Sequence, residues 1–132
     1  MENDILDLIK QKPYIIRDIE EQTEEMCLIS VSYNPYNLQY VKNQTEKICL
    51  EAIKKEGTML RFIENPTEEM CLEAIKQNAM ALEYVKNQTE QVCLDAVNNN
   101  IMAIECIKDE KMKQKIKDII NYPDSIYFWI YR

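Results

Sequence analysis

The stretch PTEEMCLEAIKQNAMALEYVKN, residues 66–87, decides the fold because it recurs at a fixed spacing of 22 residues. Residues 44–65 read QTEKICLEAIKKEGTMLRFIEN, residues 22–43 read QTEEMCLISVSYNPYNLQYVKN, and residues 88–109 read QTEQVCLDAVNNNIMAIECIKD. The four copies align without a gap. A fixed repeat of this length is typical of arrays in which each unit stacks on its neighbours. The sequence therefore predicts a repeat protein whose recurring residues serve packing.

Each copy has two apolar patterns separated by a short polar step. In residues 66–87, apolar residues recur at helical spacing around Cys71 and Ile75, and again around Leu82 and Val85. Such spacing predicts two amphipathic helices. At roughly 8–11 residues, each helix is too short to be stable alone in water, so its apolar face must be covered by neighbouring units. The unit is predicted to be helix, tight turn, helix.

The ends of these helices carry recognisable residues. Asn65 followed by Pro66 predicts a helix that begins at Pro66 with Asn65 as its cap. Gly57 lies at the turn between the two predicted helices of its unit, where it is expected to supply a left-handed residue. Prolines recur in the same column, where they suit the first turn of the second helix: Pro13, Pro35 and Pro123.

The register extends over the whole chain of 132 residues, which we interpret as one domain, residues 1–132. The predicted fold is all-α, an α-solenoid of six 22-residue helix-turn-helix repeats. The two outer units are degenerate copies and are expected to cap the stack. The predicted repeats are residues 1–21, 22–43, 44–65, 66–87, 88–109 and 110–132.

Composition and charge argue against several classes of function. The formal net charge is −7, whereas phosphate contacts need a basic surface, so we expect no direct binding of nucleic acid. The chain has no histidine and one glycine, which argues against histidine-dependent nucleophiles and glycine-rich phosphate loops. No run reaches the ~20 apolar residues of a membrane span, and no signal peptide is visible. We expect a non-enzymatic cytoplasmic protein, in the host cytoplasm if viral, without cofactor or membrane contact.

Cysteines form one column on the predicted first helices: Cys27, Cys49, Cys71 and Cys93. Packed helices lie ~10 Å apart, whereas a disulfide needs Cα atoms within ~7 Å and a zinc site needs four converging ligands. We therefore predict buried, unbonded thiols that pack as small hydrophobes, and no metal site. Free thiols in this number are typical of a reducing compartment.

Carboxylates on the first helices are one candidate surface for binding another protein. Glu51, Glu73 and Asp95 share one column, and Glu25 and Glu69 flank it. All five are expected to face solvent, and a solvated helix face is the simpler interpretation of such a stripe. As a binding surface, the polar face itself rather than a pocket would contact a partner with a basic surface.

The C-terminal stretch IYFWIY, residues 126–131, is the second candidate surface. Ile126 and Trp129 fall in core columns, which leaves Tyr127, Ile130 and Tyr131 over. These three residues are expected either to help cover the end of the stack, or to bind a partner or a second copy of the chain to form a homodimer.

The repeated pattern Thr-Glu-x-x-Cys-Leu-x-Ala-Ile-Lys, followed by Leu-x-Tyr-Val-Lys-Asn, resembles the tandem repeats grouped as domain of unknown function 4116. These repeats occur in proteins of bacteria and of large DNA viruses. The likeness is close over residues 44–109, whereas Ile29 and Ser30 replace the Glu-Ala pair and Cys106 replaces an aromatic residue. Because the family has no assigned activity or catalytic residues, the resemblance implies a fold and no mechanism.

Two functions are consistent with these features. We expect a protein–protein interaction module built from stacked helical repeats. The alternative is a small acidic inhibitor encoded by a phage or virus, which blocks a host nucleic-acid-binding or defence protein by charge mimicry. Salt dependence separates them, because binding by charge alone weakens steeply with ionic strength and apolar docking does not.

Overall fold

The computed structural model describes residues 2–121, in which six α-helices alternate with five 3-10 helices and no strand occurs. The α-helices are α1 (Glu2–Gln11), α2 (Glu24–Tyr33), α3 (Glu46–Lys55), α4 (Glu68–Gln77), α5 (Glu90–Asn99) and α6 (Glu110–Ile119). The 3-10 helices are η1 (Pro13–Asp18), η2 (Pro35–Tyr40), η3 (Gly57–Phe62), η4 (Ala79–Tyr84) and η5 (Ile101–Cys106). Successive α-helices pack on one another, successive 3-10 helices do the same, and contacts between elements stay within neighbouring repeats. The structure confirms the helical repeat solenoid.

A threonine directly before each of α2 to α5 caps the helix. Its side-chain oxygen accepts a hydrogen bond of 3.1 to 3.3 Å from the backbone N–H three residues later, which satisfies one of the free donors of the first turn. In α4 the cap is Thr67, with extended backbone at ψ 164°. The prediction that Asn65 caps a helix beginning at Pro66 is therefore wrong, since Pro66 lies outside the helix. The capping threonines are Thr23, Thr45, Thr67 and Thr89.

The second helix of each described repeat is a six-residue 3-10 helix, shorter than the 8–11 residues predicted. Its closing bond spans three residues, as from Val41 N–H to the Leu38 carbonyl, which is the 3-10 pattern. Pro13 and Pro35 occupy the first turn, as predicted, and Pro123 lies outside the described residues. The caps of η2 to η5 accept the backbone N–H two residues later: Asn34, Glu56, Asn78 and Asn100.

The hydrophobic core runs continuously through the repeats. Ile53, Leu60 and Leu82 are at most 1% exposed, and comparable side chains fill the same columns in the first five units. The four column cysteines are at most 6% exposed and unbonded. Their burial confirms the prediction that this column serves packing.

Gly57 does not adopt the left-handed conformation that we predicted, because no glycine in residues 2–121 has positive φ. Its role is close packing. A Cβ atom at this position would overlap the carbonyl oxygen of Ala74 and lie 3.3 Å from Cβ of Asn78. The corresponding residues Pro35 and Ala79 carry a Cβ, so this close approach is particular to η3 against α4.

The first unit leaves part of α1 uncovered. Ile5 and Leu8 are 39% and 43% exposed, whereas Cys27 and Ser30, in the same two columns, are buried on α2. The C-terminal residues Tyr127, Ile130 and Tyr131 lie outside the described part of the chain. No helix within residues 2–121 has the length and apolar character needed to cross a membrane.

Candidate functional site

A cleft of about 670 Å³ lies between α4 and α5. Its apolar lining comes mainly from the half-buried Leu72, with the core residue Ile75, only 2% exposed, beneath it. Four carboxylates and three other polar side chains complete it: Glu68, Glu69, Glu73, Asp95, Lys76, Asn98 and Asn99. The cleft therefore combines an apolar floor with a strongly acidic rim.

Helical spacing explains how α4 supplies most of this lining. Glu69, Leu72, Glu73 and Lys76 follow one another at intervals of three, one and three residues, so they share one face of the helix. The next helix packs beside that face and partly shields its carboxylates. Glu73 is consequently half-buried, whereas Glu69 is exposed.

Hydrogen bonds from α5 fix the other wall of the cleft. Gln91 Nε2 donates to Asp95 Oδ1 at 2.7 Å, one helical turn away. Asn99 Nδ2 donates to the carbonyl of Ile75 at 2.8 Å and so ties the end of α5 to the end of α4. These bonds orient the Asp95 carboxylate and hold the two helices at a set separation.

The structure brings together only part of the predicted acidic stripe. Glu69, Glu73 and Asp95 line the cleft, whereas Glu51 lies on α3 and Glu25 on α2. The carboxylates of the main column face solvent only in part, because Glu51, Glu73 and Asp95 are half-buried. Glu25 and Glu69 are exposed, as expected.

A glutamine at the register position of Pro66 joins neighbouring repeats. Gln88 Nε2 donates to the carbonyls of Leu82 and Cys106 at 2.9 and 3.0 Å, and its Oε1 accepts the backbone N–H of Lys108 at 2.9 Å. Gln22 makes the corresponding three bonds, and Gln44 donates to both corresponding carbonyls. The signal in the sequence was a glutamine directly before the capping threonine in three of the four copies. We call this set of hydrogen bonds the glutamine bridge.

The thiols of the cysteine column have low reactivity. Burial raises the pKa of the Cys49 and Cys93 thiols to about 11, because a thiolate is poorly solvated there. Burial first, and then the nearby Glu68 carboxylate, raises the pKa of Cys71. Thiols held protonated in this way are weak nucleophiles. Within residues 2–121, no group of three or more potential ligand side chains is arranged to hold a metal ion.

One family model matches part of the chain. Comparisons with curated proteins and with solved structures gave no match. The model of the family described as "Domain of unknown function (DUF4116)" matches residues 67–113. That segment begins at the cap of α4, contains both walls of the cleft and ends within α6. The family suggested by the 22-residue pattern is thus the one that residues 67–113 match.

Proposed function

We propose that this protein is a non-enzymatic interaction module whose cleft between α4 and α5 binds a basic segment of another protein. The observation that carries the proposal is the acidic rim, Glu68, Glu69, Glu73 and Asp95, set around Leu72 and Ile75. A lysine or arginine side chain suits both parts, since its aliphatic stem packs on apolar surface while its charged head meets a carboxylate.

The size and the local sequence of the cleft support this proposal. A volume of about 670 Å³ is within the ~300–1,000 Å³ of many ligand sites. Lys47 occupies on α3 the position that Glu69 occupies on α4, so the groove before this one carries a cation where the cleft carries an acid. The α2–α3 pair keeps three of the corresponding acids, Glu24, Glu25 and Glu51, and only the α4–α5 pair carries all four.

The chemistry of the chain supports binding over catalysis. Histidine is absent from the sequence, and the raised pKa of the column thiols, about 11 at Cys49 and Cys93, keeps them protonated near neutral pH. These features leave few groups suited to nucleophilic or general-base work.

The test is binding of an amphipathic peptide of lysine and leucine, measured by calorimetry. Replacing Glu69→Gln, Glu73→Gln and Asp95→Asn together is expected to weaken binding at least tenfold, since each rim charge contributes up to ~1 kcal/mol. The control carries the same loss of charge away from the cleft, at Glu20→Gln, Glu21→Gln and Glu46→Gln. Equal weakening in both variants would show that only net charge matters.

A salt series separates the proposed mode from binding by charge alone. Screening shortens the Debye length from ~8 Å at physiological salt to ~3 Å at 1 M. Contact with the half-buried Leu72 is expected to preserve measurable binding at high salt. Complete loss of binding at high salt would instead favour charge mimicry.

A further inference from the structure

Aromatic and cationic side chains cluster on the 3-10 helices, away from the cleft. The Arg61 guanidinium carbon lies 4.6 Å from the ring centroid of Phe62 and 5.8 Å from that of Tyr36. The two rings meet edge to face at 6.4 Å, and Tyr36 is 44% exposed. Stacking on two rings restricts the guanidinium to few orientations.

Arg61 has no ion-pair partner among the described residues, in contrast to another stacked arginine of the chain. Arg17 provides the contrast, because it also lies over a tyrosine, 5.6 Å from the Tyr14 centroid, but its Nε is 3.6 Å from Asp18 Oδ2. Arg61 therefore keeps its planar set of N–H donors available for a carboxylate.

A cavity of about 420 Å³ adjoins Arg61 between η3 and η4. Phe62 and Tyr84 supply aromatic surface, and two further cations, Lys86 and Lys108, line the same space. The carboxylates that line it are Glu64 and Glu83. Three cations against two carboxylates make this surface locally positive on a chain whose net charge is −7.

We propose that this arginine–aromatic surface, formed by Tyr36, Arg61, Phe62, Tyr84, Lys86 and Lys108, binds an acidic segment of a partner protein. A carboxylate of that segment pairs with Arg61, and an adjacent apolar side chain packs on the exposed parts of Phe62 and Tyr84. Arginine and tyrosine are among the residues that contribute most to protein interfaces.

Charge complementarity selects this occupant. A basic segment would be repelled by Arg61, Lys86 and Lys108, and a long polyanion such as nucleic acid would be repelled by the rest of the acidic molecule. A short acidic segment with apolar residues avoids both penalties. The surface does not depend on the cleft, so either binding site can fail without the other.

The probe is a fluorescein-labelled decapeptide of alternating glutamate and leucine, compared with a peptide in which glutamine replaces every glutamate. Fluorescence anisotropy is expected to show at least fivefold tighter binding of the acidic peptide. Arg61→Gln is expected to weaken that binding about tenfold, as for loss of one charge-assisted hydrogen bond. The matched control Arg17→Gln removes a stacked but ion-paired arginine and is expected to leave binding unchanged.

Two further variants keep the test decisive. Glu64→Gln removes a repelling carboxylate and is expected to tighten binding of the acidic peptide. If Arg61→Gln does not fold, as judged by circular dichroism, the paired change Lys86→Gln and Lys108→Gln replaces it, with the same expected loss. Equal affinity for the two peptides, equal effects of Arg61→Gln and Arg17→Gln, or no binding of the acidic peptide would each overturn the proposal.

Discussion

The repeat junction at Gln44 and the junction at Pro66 differ at one position of the same register. Gln44 Nε2 donates to the carbonyls of Phe62 and Leu38, at 2.8 and 3.4 Å. Proline has no such donor, and within residues 2–121 no side-chain amide reaches the corresponding carbonyls of Leu60 and Tyr84. The apolar columns are nevertheless buried on both sides of Pro66. Apolar stacking therefore suffices for the fold, and the glutamine bridge adds stability to individual junctions.

At the Pro66 junction, a close backbone contact stands in place of the glutamine bridge. Gly57 brings η3 so close to α4 that an added Cβ would meet the Ala74 carbonyl. One junction is thus held partly by polar bonds to backbone carbonyls, and the other by close contact between backbones. The following predictions separate these two contributions.

Gly57→Ala is expected to have the largest effect, a loss of about 3 kcal/mol in the free energy of unfolding. The added methyl group overlaps backbone rather than a flexible side chain, so helices must shift. Without that overlap, alanine would stabilise by ~0.4–1 kcal/mol through the unfolded chain. Urea unfolding that shows unchanged or increased stability would contradict the close-packing role. Ala79→Gly, in the same column, is the control and is expected to cost only about 1 kcal/mol.

Gln88→Ala is expected to lower the free energy of unfolding by about 2 kcal/mol. It removes three hydrogen bonds to backbone groups of two repeats, each contributing roughly 0.5–1.5 kcal/mol. Gln39 makes one exposed bond to the Tyr36 carbonyl, so Gln39→Ala serves as the control and should change stability by no more than about 0.5 kcal/mol. Similar losses in the two variants would show that the glutamine bridge does not stabilise the junction.

Alkaline pH is expected to destabilise the protein through its cysteine column. The pKa of Cys49 and Cys93 is about 11 in the folded chain, against an ordinary value of 9.0. The folded state therefore retains protons that the unfolded state loses, and stability falls as pH rises from about 9 to 11. The loss at pH 10 is on the order of 1 kcal/mol for each thiol.

Other groups titrate in the same range, so the informative quantity is a difference between variants. Urea unfolding of Cys49→Ala and Cys93→Ala is expected to show a shallower fall with pH than the unaltered chain. Parallel pH profiles would mean that the column thiols do not contribute.

Asn37 gives the opposite case to the bridging glutamines, a buried polar side chain without full pairing. It is 3% exposed, and its Nδ2 has no hydrogen-bond partner in the described structure. Met59 and Ala81 occupy the same column in the next repeats. Asn37→Met is therefore expected to stabilise by about 1–2 kcal/mol, because an unsatisfied buried group costs that much. A lower melting temperature in calorimetry would show that the column does not tolerate the larger side chain here.

The sequence allows prediction of the apolar positions that recur every 22 residues, but of few other features. Burial of Cys71 and the length of the first helices followed from periodicity, since each unit must cover its neighbour. The 3-10 form of the second helices did not, because over six residues the apolar spacing suits either helix type. Thr67 and Asn65 are both suitable caps, and only backbone geometry distinguishes them.

The candidate sites depended still more on three-dimensional packing. The bonds of Gln88 join carbonyls that lie 6 and 18 residues away, so no local pattern reveals them. Likewise, Glu73 and Asp95 were recognisable as acidic, but the cleft between them depends on the separation of α4 and α5. Arg61 stacks on Tyr36 from the preceding repeat, which no pattern within one unit predicts.

Pro66→Gln tests the comparison between the junctions most directly, although its expected effect is the smallest. The new amide would face the carbonyls of Leu60 and Tyr84 and is expected to add about 2 kcal/mol through two hydrogen bonds. Loss of proline frees the unfolded chain and costs ~0.4–1 kcal/mol. The net expectation is a gain of about 1 kcal/mol in the free energy of unfolding, measured by urea unfolding.

Pro66→Ala is the matched control, because it loses the proline without supplying an amide. It should be less stable than the unaltered chain, so that glutamine and alanine at this position differ by about 2 kcal/mol. Equal stability of the two variants would mean that glutamine at position 66 does not reach both the Leu60 and Tyr84 carbonyls. The close approach at Gly57 would then be the reason. The same two substitutions at position 66 are then compared in a chain that carries Gly57→Ala. If glutamine is more stabilising than alanine only in that background, backbone contact and the glutamine bridge are alternative ways to join two repeats.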